Sequence, residues 1–263
     1  MITLQLSPGD IERVRFAYSP LIEVASSFKL LQSPDLQANY RVWVDETQRM
    51  FDRIDFPYMN ATILPHRYIV DFLTPTPTKT ILSFEDEIDR VRETPDAVIR
   101  KNIEFAISVG GMTPIRQLFL DHPREALECL IEEVRFYWQQ ALEPHWPQLA
   151  SILENDVLFR ARALAHYGID AMFTDLSDRV DYHQGEIHII KDHKPHYPSN
   201  YQLQGAGVQL VPSVFATCGG MWQVVPEYLP MVIYQTRGLG LWKRQPDNEP
   251  DEALQLTLGT SRA

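Results

Sequence analysis

Cysteine is close to absent. Cys129 and Cys218 are the two found in 263 residues, too few for a disulfide scaffold, a four-thiolate zinc site or an iron–sulfur cluster. Such usage fits a reducing compartment, so a cytoplasmic location is expected. Long apolar runs are missing as well. Nowhere do about 18 apolar residues follow one another, and the opening ITLQLSPGD has no basic start leading into an apolar stretch. Neither a membrane partner nor secretion is expected. Positive charge is in deficit, with Asp and Glu numbering 35 against 24 Lys and Arg for a net charge of -11. A surface of that sign repels a phosphate backbone, which disfavours direct nucleic-acid binding by these residues.

The short motifs that carry catalysis are also lacking. There is no HExxH zinc motif and no G-x-S-x-G elbow. The glycines of GAG at 205–207 and GLG at 238–240 fit neither a P-loop nor a dinucleotide-binding turn, and they read as bulges or turns. Cys218, in ATCGG, has no assignable basic partner. No complete helix-turn-helix with a basic second helix is present. No catalytic residue and no cofactor are assigned, and the chain is not expected to be an enzyme.

What remains is an ordinary globular balance of 44% hydrophobic, 22% charged and 11% aromatic residues, in a chain long enough for one to two domains. Ile2, Leu4 and Leu6 alternate with polar residues, predicting a half-buried first strand. Ser7, Pro8 and Asp10 form a capped helix start leading into Ile11, Val14 and the apolar run beyond, in which Pro20 is expected to break or kink the helix. Leu36, Tyr40, Trp43, Val44, Met50, Phe51 and Ile54 predict one helix over 35–54 with a wide aromatic stripe. The TPTPT stretch at 74–78 is a loop. Further capped starts lie at Ser83 with Asp86 and at Thr94 before Pro95, the second helix ending at Gly110-Gly111.

From Pro123, Leu127, Leu130, Ile131, Val134, Trp138 and Leu142 make one helical stripe, with Cys129 and Phe136 on the other side. That second side faces either core or another subunit. A further helix spans 147–167 and stops at Gly168. Beyond Asp178, RVDYHQGEIHIIKD reads as a hairpin around Gln-Gly, and VQLVPSVFAT and PMVIYQT continue the β pattern. The expected class is α+β, a helical N-terminal part followed by a small antiparallel β-rich part. The division is residues 1–177 as a mainly helical domain, 178–245 as a β-rich part packed on it, and 246–263 as a linker and the start of a further unit.

Four histidines, His183, His188, His193 and His196, crowd together with Asp181, Glu186 and Asp192. Zinc needs three or four such ligands converging at about 2.0–2.3 Å. A hairpin places His188 opposite Ile187 and Ile189, with His183 and His188 able to face each other across it. A solvated hairpin edge accounts for the same residues, and no metal is assigned.

The stretches RVRFAYSPLIEV, DFLTPTP, GAGVQLVPSVF and MVIYQTRGLGLW together resemble the amino-terminal domain, of unknown function, that precedes an ArsR-type winged helix in a group of bacterial transcriptional regulators. The terminal EALQLTLGTSRA resembles the first helix of that winged helix, with Leu258, Gly259, Thr260 and Arg262 in the matching order. The resemblance implies a non-enzymatic sensory or dimerisation domain, a homodimer, and DNA contact only through a winged helix whose remainder is missing here. It carries no metal site onto this chain. A small-molecule effector, if one binds, is placed among Tyr40, Trp43, Phe51, Phe56, Tyr58, Tyr68 and Phe72, beside Arg41, Asp45, Asn60 and His66. The ordinary reading of aromatic stripes at helical spacing, which these rings also fit, is core packing. The alternatives are a metal-dependent enzyme built on the His183–His196 cluster, or a plain protein-interaction module.

Overall fold

The computed structural model describes residues 1–65, 67–173, 176–177, 180–190, 199–216, 221–238 and 242. The chain opens as expected with β1 (Ile2–Gln5) and the one-turn α1 (Pro8–Ile11), where Ser7 and Asp10 form a reciprocal capping box. The helix does not run on through Val14. After one turn the chain extends into β2 (Arg15–Phe16), and Pro20, read as a breaker, opens α2 (Pro20–Leu31) with Ser19 as its cap. A proline at the first helical position gives up an amide that has no partner there anyway. The single helix expected over 35–54 is a 3-10 turn (Pro34–Asn39) followed by α3 (Arg41–Met50).

Next come α4 (Pro57–Thr62), β3 (Ile63–Leu64) and β4 (Tyr68–Ile69), then α5 (Phe84–Arg92) behind the expected Ser83–Asp86 capping box. α6 (Asp96–Gly110) starts one residue later than Thr94 implied: Pro95 occupies the cap position and no side chain closes it. α7 (Pro114–Asp121) and α8 (Pro123–Tyr137) follow. α8 widens into a π turn (Trp138–Leu142) before α9 (Trp146–Tyr167), which ends at Gly168, and α10 (Ile169–Phe173). The remaining strands are β5 (Val180–His183), β6 (Glu186–Ile189), β7 (Asn200–Gln202), β8 (Gln209–Ser213), β9 (Met221–Gln223) and β10 (Met231–Gln235). Gln184 and Gly185, both at positive φ, turn the β5–β6 hairpin.

The class is α+β, with helices early and small sheets later, and the sheets are mixed rather than antiparallel throughout. One has the order β5-β6-β1-β7, with β1 antiparallel to β6 and parallel to β7. The other has the order β2-β8-β10-β9, with β2–β8 and β8–β10 parallel. The two strands nearest the amino terminus are thus shared out between sheets whose other members lie beyond residue 179. The second sheet is buried on both faces. Leu210, Val232 and Tyr234 face a core shared with β1 and β6, whereas Val211, Met231 and Ile233 face α2 through Ile22. A sheet covered on both sides explains why LVPSV and MVIY are nearly continuous apolar runs and not alternating ones. A larger core lies among α2–α9 and includes the stripe of α8 and its π turn, Leu127 through Leu142, together with Val214, Phe215 and Trp242.

Entry to β8 depends on a close approach. Gly207 has φ +85°, and a Cβ there would lie 2.7 Å from Arg13 Cβ and 2.8 Å from Arg13 O. Gly207→Ala is therefore expected to destabilise the fold by about 1–3 kcal/mol, from strained backbone and a clash with main chain. A lowered urea midpoint at unchanged slope checks this.

Candidate functional site

A parallel sheet entered by irregular segments leaves amides with no ladder partner, and each needs an acceptor. In this chain the acceptors are carboxylates from remote helices. Asp10 of α1 accepts the amide of Gly207 at 2.8 Å while still closing its own capping box. Burial acts to raise its carboxyl, but bonds from Ser7 and Gly207 outweigh that and hold it below the usual range.

Glu23 of α2 makes the deepest of these joints. Its two oxygens accept the amides of Val214 at 2.9 Å and Phe215 at 3.3 Å, where the chain leaves β8. The turn is further braced by Ala216 N donating to Ser213 Oγ at 3.0 Å. Glu23 is fully buried, and burial pushes its carboxyl up to about 7 despite the bonds from Val214, Ser213 and Phe215. Tyr40 seals the same turn, donating to Val214 O at 2.8 Å and accepting from Gln235 Nε2 at 3.2 Å. The ring of Phe215 then carries Tyr40, Trp43 and Trp242, with centroids 5.7, 4.7 and 6.0 Å away. His145 meets Trp242 edge-on at 5.3 Å.

Two further carboxylates and one side-chain amide make other joints. Asp156 of α9 accepts Tyr234 Oη at 2.6 Å and the amide of Arg237 at 3.0 Å, beside the fully buried Arg160, which donates to Met172 O. Glu87 of α5 accepts Ser19 Oγ and Leu21 N through one oxygen, both at 2.8 Å. Its other oxygen is buried without a partner, and burial lifts this carboxyl too to about 7. Gln223 of β9 donates to the carbonyls of Asp71 and Thr74 and accepts from Thr76, which fixes the DFLTPTP stretch against the sheet. Burial raises the Asp71 carboxyl, to which Tyr68 donates at 2.7 Å.

The seven aromatic candidates divide among separate parts of the core. Tyr40 and Trp43 pack on Phe215. Phe51 and Phe56 pack on each other at 5.0 Å and on Tyr137. Tyr58 and Phe72 meet Phe119, and Tyr68 meets Phe105 at 4.8 Å. The polar groups proposed beside them do not converge either: Arg41, Asp45 and Asn60 are exposed, and His66 lies outside the described residues. An open polar depression on the outer face of α3 is lined by Asp45, Gln48, Arg49 and Asp52, without any of the seven rings.

Of the histidines, His183 stands opposite Glu186 and His188 opposite Asp181, so the two do not face each other directly. His188 Nδ1 lies 3.3 Å from Thr3 Oγ1, while Ile187 and Ile189 point into the core as expected. His193, His196 and Asp192 lie outside the described residues, as do Cys218, Leu239, Gly240 and the whole 246–263 segment. Among the described residues, no three His, Cys, Asp or Glu side chains group as metal ligands, and no helix is long and apolar enough to cross a membrane. Sequence reasoning passed over Glu23, Glu87 and Asp156. A signal did exist for Glu23, the sole charged residue between Tyr18 and Phe28.

Comparison of the chain with protein-family models, curated proteins and solved structures found no match. The joints themselves are directly testable. Tyr234→Phe leaves a buried Asp156 oxygen without its hydroxyl, and a loss of about 1–3 kcal/mol is expected in chemical denaturation.

Proposed function

We propose that this chain is the sensory and dimerisation domain of a bacterial ArsR-like transcriptional regulator, cytoplasmic and homodimeric, with DNA contact made by a winged helix that follows it. The observation that carries this reading is a convergence. The four stretches that resemble that family's amino-terminal domain lie far apart in sequence, yet they meet around one sheet. RVRFAYSPLIEV supplies β2 and Glu23, GAGVQLVPSVF supplies Gly207, β8 and the Val214–Phe215 turn, MVIYQTRGLGLW supplies β10 and Trp242, and DFLTPTP is tied on through Gln223. The resemblance thus rests on residues that make one structural unit. That unit reaches to Trp242, shortly before the segment that resembles the start of a winged helix.

The physical logic is division of labour. An acidic module supplies a two-fold interface, and a basic module supplies phosphate contacts and groove readout. A small-molecule effector would act by binding two arrangements of the dimer with different affinity. With a net charge of -11, the 263-residue chain is expected to bind duplex DNA no better than a generic acidic protein, and fusion to its winged helix is expected to restore binding. Sequence-specific retention of an operator fragment by the chain alone in a gel-shift assay would overturn the assignment of DNA contact. Light scattering is expected to give twice the 30.4 kDa chain mass, and a monomer at high concentration would remove the dimer.

A further inference from the structure

We propose that the Glu23 carboxyl is a proton-operated latch between α2 and the end of the second sheet: neutral, it holds the Ser213–Ala216 turn closed with Phe215 seated against Trp242, and ionised, it moves out to water and lets that turn open. The inference stands on the geometry and does not rest on the regulator reading.

Among the described residues, every hydrogen bond to this carboxyl comes from one turn, namely the amides of Val214 and Phe215 and the hydroxyl of Ser213. Among the described residues, the elements packed on α2 bring it no countercharge. Glu87 of α5 meets the helix at Ser19 and Leu21, and Arg90 acts on Glu87. The Tyr137 hydroxyl of α8 meets it at Ser27, and β3 presents Ile63 and Leu64. The 3-10 turn before α3 adds only the acidic Asp35, and the Tyr40 hydroxyl reaches the latch turn at Val214 O. An ionised Glu23 in this position is a buried charge with hydrogen bonds but no partner ion among the described residues, and here burial raises the carboxyl against those bonds.

The direction follows from linkage. A closed latch takes up its proton near pH 7, whereas a hydrated glutamate does so near 4.5. The closed form therefore binds more protons between those values, and raising the pH shifts the balance toward the open form. Its consequence travels through one ring. Phe215 follows the two amides held by Glu23, and Tyr40, Trp43 and Trp242 all lean on it. Opening the turn withdraws the support of Trp242.

Amide hydrogen exchange on the full chain, corrected for the intrinsic pH dependence of exchange, reads the latch at Val214, Phe215 and Ala216. Between about pH 5.5 and pH 8 the opening of this segment is expected to rise on the order of tenfold. The Trp242 emission, obtained by difference from Trp242→Phe, is expected to shift over the same range. Glu23→Gln keeps the side chain neutral and is expected to abolish both changes, while Glu87→Gln leaves them in place. Exchange that does not vary with pH in the unmodified chain, or that rises equally in Glu23→Gln, overturns the proposal. Phe215→Leu keeps the carboxyl and removes the ring: exchange at Val214 is expected to keep its pH step while Trp242 stops following it. A Trp242 response that persists in this variant overturns the relay, whether or not Glu23→Gln folds.

Discussion

The fold is held in register by carboxylates that accept backbone amides from distant segments. Asp10 takes Gly207, Glu23 takes Val214 and Phe215, and Asp156 takes Arg237. Glu87 takes Leu21, and Glu133 takes Tyr58 and Met59 at the start of α4. In each case the amide belongs to the first turn of a helix or to an irregular stretch at a strand end, where no ladder or helical carbonyl is in reach. A neutral acceptor would serve, but a carboxylate offers two oxygens and makes the stronger bond.

The same bond has opposite electrostatic outcomes depending on its surroundings. At Asp10 the donors win and the carboxyl stays below its usual range, whereas at Glu23 and Glu87 desolvation wins and both rise to about 7. Both raised groups lie at the first turn of α2, the helix that separates the larger core from the second sheet. A rise in pH through neutrality therefore stresses the interior at this boundary. Both groups have folded values above their unfolded ones, so the stability they contribute is present on the acid side and is lost as pH climbs.

Local chemistry was legible in the sequence where it decides structure by itself. Ser7 with Asp10 and Ser83 with Asp86 formed the capping boxes their spacing predicts, and the Gln-Gly hairpin and the Gly168 stop appeared in place. Misreadings came where a distant partner overrode the local pattern. Ile11 and Val14 carry helical spacing, but Arg15 and Phe16 find Gln209 and Leu210 and become a strand. The aromatic stripe over 35–54 has helical periodicity, yet periodicity is blind to what faces it or the rings that follow it up to Phe72. Phe215, Tyr137, Phe119 and Phe105 supply the opposing rings, and all four come from helices beyond residue 95 or from the far sheet. Parallel pairing of β1 with β7 and of β2 with β8 was hidden for the same reason, since its partners are separated by most of the chain.

Interior carboxylates are a costly way to join segments, since a buried ion is commonly no more stabilising than apolar residues of equal volume. Leucine at position 23 would fill space but would leave the amides of Val214 and Phe215 unpaired in the core, at about 1–3 kcal/mol for each such group. A hydrogen-bond acceptor at position 23 is thus dictated by the backbone it faces. An open, irregular turn at Val214–Phe215 is in turn required if the chain is to leave β8 and place Phe215 between Trp43 and Trp242. A regular ladder would satisfy those amides without a charge, but it would carry Phe215 onward along the sheet. The titratable group and the aromatic seat are consequences of one choice of chain path, which is why a proton at Glu23 and the position of Trp242 belong to the same equilibrium.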